Sequence, residues 1–107
     1  MKFALLSAGK FDALVQNAAQ RIKARYPPLI ANNPERTVSQ ERVREVLEDA
    51  FTGVLEFEGE IRIGLLRRAR LKSALRGELR EIGYEERFAE FAAERFIEQL
   101  LRKFGDR

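Results

Sequence analysis

Apolar residues recur along this chain mainly at three- and four-residue intervals, the spacing that lines one face of an α-helix. Phe11, Leu14, Val15, Ala18, Ala19 and Ile22 form the first such stripe. Ser7 stands where an N-cap belongs, with Leu6 before it and Phe11 four residues into the helix as a hydrophobic staple. Tyr26-Pro27-Pro28 closes the run, because a residue preceding proline is pushed out of the α region. The spacing predicts a helix over 8–25.

Residues 27–38 read as a connector opened by two prolines and punctuated by Asn32-Asn33-Pro34, with Leu29 and Ile30 expected to tuck against the core. Thr37-Val38-Ser39-Gln40 admits two starts for the next helix. Ser39 caps with Val38 and Val43 as the staple, or Thr37 caps with Gln40 in a capping box. The stripe that follows, Val43, Val46, Leu47, Ala50, Phe51 and Val54, predicts a helix over 39–57.

Between 55 and 63 apolar and polar residues alternate around Gly59, a pattern that a β-hairpin shares. A lone two-stranded hairpin buries little and is marginally stable. The favoured reading is a helix end near Phe57, a turn at Gly59, and a third helix over 61–82 through Leu65, Leu66, Leu71, Leu75, Leu79 and Ile82. Gly83 is placed as its left-handed cap. A last helix over 85–104 carries Phe88, Phe91, Ala92, Phe96, Leu100 and Phe104. The short link at 83–84 makes the last two helices an antiparallel αα-hairpin. The expected architecture is all-α: one compact bundle of about four helices, forming a single domain over 1–107.

Composition agrees with a globular domain, at 45% apolar and 35% charged residues. No stretch approaches the roughly 20 apolar residues that span a bilayer. Met1-Lys2-Phe3-Ala4-Leu5-Leu6 is too short an apolar run for a secretory leader. The chain has no cysteine, so thiol chemistry and disulfides are excluded and a cytoplasmic location is expected. It also has no histidine, which removes imidazole bases and the usual ligands of zinc and di-iron sites. Ser7-Ala8-Gly9-Lys10 lacks the second glycine and the hydroxyl of a phosphate loop. Glu86, Glu90, Glu94 and Glu98 form a ladder on the last helix, read as a solvated face rather than a metal site. The chain is therefore expected to be non-catalytic, with no cofactor or metal.

Charge adds one feature. The net charge is only +3, yet residues 61–80 hold Arg62, Arg67, Arg68, Arg70, Lys72, Arg76 and Arg80 against a single acid, Glu78. A row of cations on one helix can track phosphates, or meet an acidic protein or membrane surface. The hairpin offers a competing use. Pivoting at Gly83 sets Arg80 near Glu86 and Arg87, Arg76 near Glu90, Lys72 near Glu94 and Arg68 near Glu98, leaving Arg67 and Arg70 free.

The last helix supplies a second surface, since its apolar side chains cover more than the roughly 100° stripe a peripheral helix needs. Phe91, Phe96, Ile97, Leu100, Leu101 and Phe104 are the candidates for a homo-oligomer interface, against the alternative that the helix is simply central. The functional expectation is a non-catalytic binding or assembly module acting through protein–protein contacts, with self-association as one form of it. The alternative is a small nucleic-acid-binding regulator that uses the basic helix around 62–80.

Overall fold

The computed structural model describes residues 8–33, 39–58 and 65–104, with side chains placed over 11–33, 39–53 and 68–102. The cap at Ser7, the alternative cap at Thr37 and the turn or hairpin at 59–63 lie outside the described residues. Among the described residues five helices follow one another: α1 (Ala8–Arg25), α2 (Pro28–Ala31), α3 (Gln40–Glu58), α4 (Leu65–Ile82) and α5 (Glu86–Phe104). There is no strand among the described residues. The fold is an all-α bundle, and its largest helix–helix interface is the α4–α5 hairpin.

Each stripe found in the sequence becomes a core face. Leu14, Ala18, Ala19 and Ile22 of α1 are fully buried, as are Leu47, Ala50 and Phe51 of α3. Leu71, Leu75 and Leu79 of α4 meet Ala89, Ala92, Ala93 and Phe96 of α5. The helices close a ring in which α1 packs on α3 and α4, and α5 packs on α4 and α3. Phe51 and Phe96 join the two sides, with ring centroids 4.6 Å apart in a tilted pair. Such a pair contributes about 0.5–1.5 kcal/mol beyond the apolar area it buries.

Polar contacts set the directions of neighbouring helices. Arg25 faces Asp49 at 3.6 Å, and the Arg21 guanidinium lies against Gly53, so α1 and α3 run antiparallel. Between α3 and α5, the Gln99 amide donates to the Thr52 hydroxyl (2.7 Å) and to the Glu48 carbonyl (3.2 Å). At the start of α3 the Arg42 amide donates to the Ser39 hydroxyl (3.1 Å), which makes Ser39 the cap.

The connector after α1 differs from its expected form. It contains a helical turn, α2, and Leu29 is 87% exposed rather than tucked into the core. Pro28 sits at the first helical position, where its fixed φ suits the turn and its missing N–H costs nothing. The amides of Ile30 and Ala31 bond to the Pro27 carbonyl, and the Asn32 amide bonds to that of Pro28. One turn of helix brings Pro28 and Ala31 to the same side, toward Gly83 and the core respectively. Leu29, about 100° round, points outward.

The α4–α5 turn is a Schellman motif: the Tyr84 amide bonds to the Leu79 carbonyl (3.0 Å) and the Gly83 amide to that of Arg80 (3.0 Å). Gly83 has φ +126°, a conformation that side chains other than hydrogen resist.

Three substitutions test these assignments by chemical denaturation. Phe51→Ala, at a site with no solvent exposure, is expected to cost about 3–5 kcal/mol. Gly77→Ala and Gly83→Ala make the same chemical change with opposite expected signs. Gly77 lies inside α4 with open space where a Cβ would stand, so alanine should stabilise by about 0.5–1 kcal/mol. Gly83→Ala should destabilise by more than about 1 kcal/mol, because the backbone there has positive φ.

Candidate binding surfaces

The basic side of α4 is largely engaged with α5. Lys72 Nζ reaches Glu94 at 3.3 Å, as the hairpin register predicts. Arg80 reaches Glu86 at 3.1 Å. Arg76 departs from expectation: it turns to Glu86, at 3.8 Å, instead of Glu90. A long guanidinium side chain can reach one turn along its neighbour, and Arg76 and Arg80 thereby share one carboxylate. These side chains are all more than a third exposed, so each pair contributes at most about 1 kcal/mol. Arg68 is half-buried. Arg70 is exposed and forms no ion pair with any described residue. Arg62 and the side chain of Arg67 lie outside the described residues.

The acidic ladder on α5 is divided among different partners. Glu86 and Glu94 face α4, while Glu98 pairs with Arg95 at 2.8 Å within its own helix. Arg102, one turn beyond Glu98, turns to Glu48 of α3 at 3.7 Å. Among the described residues, no three carboxylates stand where they could hold a metal ion.

Of the six residues expected to form an interface on α5, the five with described side chains lie in different settings. Phe96 and Leu100 are buried inside the bundle and belong to the core. Phe91 is half-buried beneath the Arg95 guanidinium, 5.2 Å from its ring centroid. Ile97 and Leu101 are half-buried as well. At about 100° per residue they lie on the opposite flank of the helix from Phe91, with Glu94 and Glu98 between them. The Phe104 side chain lies outside the described residues.

A charged cleft between α3 and α5 escaped the sequence reading. Arg44, Glu48, Arg95, Glu98 and Arg102 line a space of about 300 Å³. Its five members come from helices about fifty residues apart; the spacings within each helix are local, but the meeting of the two helices is not. The alternation of three guanidinium groups and two carboxylates makes it an electrostatic seam between the helices.

The remaining surface surrounds α2. Asn32 fixes this turn to the hairpin: its side-chain amide donates to the Gly83 carbonyl (2.8 Å), and its oxygen accepts from the Glu85 amide (3.3 Å). Beside it the Tyr84 hydroxyl, on a buried ring, donates to the Tyr26 carbonyl at 2.6 Å. Burial, with Tyr26 nearby as the lesser cause, pushes the Tyr84 phenol above its usual value, so it remains a neutral donor. Phe88 stacks on Tyr84 at 4.7 Å and meets Tyr26 at 5.5 Å. On this fixed base Leu29 projects as the one large apolar side chain exposed among the described residues. Next to it lies an open groove of about 770 Å³. Pro27, Pro28, Leu29, Ile82, Gly83 and Lys23 are among the residues that line it.

No helix among the described residues is long and apolar enough to cross a membrane. No known family model matches this chain, and neither does any curated protein or solved structure.

Proposed function

We propose that this chain is a non-catalytic helical module that binds another protein through the α2 ledge. One observation carries the reading: Leu29 is 87% exposed on a turn that hydrogen bonds hold in place. Burying a leucine side chain against a partner is worth about 1.5–3 kcal/mol. Because the turn is already ordered, little of that gain is lost to ordering the backbone. Self-association through α5 has less support, since its apolar side chains are either core or separated by charge.

The test is capture from native lysate of the source cells, with the parent and Leu29→Asp compared before and after nuclease treatment. The exposed position should tolerate the change with stability altered by less than about 0.5 kcal/mol. Protein capture that survives nuclease and is lost in Leu29→Asp is the expected result. Equal capture by both proteins would remove α2 from the interface.

A second reading, nucleic-acid binding, rests on Arg70, which is exposed and carries no counter-charge among the described residues. The surface pairs of Lys72, Arg76 and Arg80 are weak enough for phosphates to compete with them. Duplex and single-stranded probes titrated at low salt decide it. The protein-binding reading expects no shift. Measurable affinity that falls with salt by about 0.9 logarithmic units per phosphate contact, and that Arg70→Glu abolishes, would transfer the assignment to nucleic acid.

A further inference from the structure

We infer that the groove beside α2 takes a short apolar peptide segment bearing an acidic side chain. This rests on the protein-binding reading above and specifies the partner's chemistry.

The proline and Gly83 backbone groups that line the groove are already satisfied. Pro27 and Pro28 have no N–H to donate. Their carbonyls already accept from the amides of Ile30, Ala31 and Asn32. The Gly83 carbonyl accepts from Asn32, and the Gly83 amide is held by Leu79 and Arg80. Asn32 and Asn33 also line the groove, but the proline rings, Leu29 and Ile82 make the larger, apolar part of its wall. A ligand rich in hydrogen-bonding groups would lose its hydration here without replacement, so the wall selects aliphatic or aromatic contact.

Charge selects the rest. Among the described residues, Lys23 is the one ionisable side chain lining the groove. It is exposed and forms no ion pair with any described residue. A single cation beside apolar walls suits a carboxylate. It does not suit a polyanion, whose binding needs several neutralised phosphates.

Size favours a short segment over a second copy of this chain as the occupant. The groove is open, and its volume of about 770 Å³ is on the scale of a few side chains. A stable dimer needs about 800 Å² of surface from each partner, and Leu29 is the one large exposed apolar side chain among the described residues to build it around. One or two apolar residues with a neighbouring aspartate or glutamate fill the space and meet Lys23.

Selection of random nonapeptides on the full chain tests this, with the peptides displayed as N-terminal fusions so that none has a free C-terminal carboxylate. The expected winners pair an apolar residue with an adjacent acid. A C-terminally amidated synthetic copy of a winner should bind the parent. Its affinity should fall about twofold to fivefold with Lys23→Gln, the range of one exposed charge pair, and be lost with Leu29→Asp. Repeating the selection on Lys23→Glu should exchange acidic for basic neighbours. Circular dichroism of each variant verifies that the helices are intact. Winners that need Leu29 but show no acidic preference, and no change on Lys23→Glu, would overturn the carboxylate and leave the protein-binding module standing. Winners indifferent to Leu29, or none at all, would overturn the groove as the site, while the lysate comparison judges the module separately.

Discussion

The hydrogen bond from the Tyr84 hydroxyl to the Tyr26 carbonyl joins parts of the chain separated by 58 residues. A carbonyl at the end of a helix needs a partner. The two prolines after Tyr26 end α1, and the Ile30 amide, which a continuing helix would give to Tyr26, bonds to the Pro27 carbonyl instead. Tyr84 supplies the missing donor from the second position beyond α4, directly after the left-handed Gly83 turns the chain toward the core. Asn32 repeats the same solution on the other side of the turn by bonding both to the Gly83 carbonyl and to the Glu85 amide. The end of α1, the turn of α2 and the start of α5 are fixed by these three polar contacts. Leu29 inherits its exposed position from them.

The helices themselves were readable because each is governed by local rules. Proline after Tyr26, the stripe through Leu47 and Phe51, and glycine at 83 act within a few residues of where they stand. The Lys72–Glu94 pair was also readable, since an antiparallel hairpin with a known pivot fixes which residues face one another. Arg76 broke that register because its side chain is longer than the spacing between rungs, and Glu86 lies within reach of two cations.

What escaped the sequence is non-local. A four-residue helix has too few positions to show a period, and α2 is held by an asparagine bonded to residues more than fifty positions away. Treating Leu29 as core followed composition alone. The clue lay in Pro28, which starts a helical turn and so sets Ala31 on its own side with Leu29 pointing away. The breadth of apolar residues on α5 was likewise visible, but its use was not. Two helix contacts, with α3 and α4, take up Phe96 and Leu100, and the flanks that remain are divided by glutamates.

The aromatic composition gives this joint a signal of its own. The chain has no tryptophan and two tyrosines, and both tyrosines belong to the Tyr26–Tyr84 contact. Tyrosine emission and near-ultraviolet tyrosine bands therefore report on a single corner of the molecule, whereas peptide absorption in the far ultraviolet averages over every helix. A fluorophore pair placed by the sequence itself separates loosening of that corner from melting of the bundle, with no label attached.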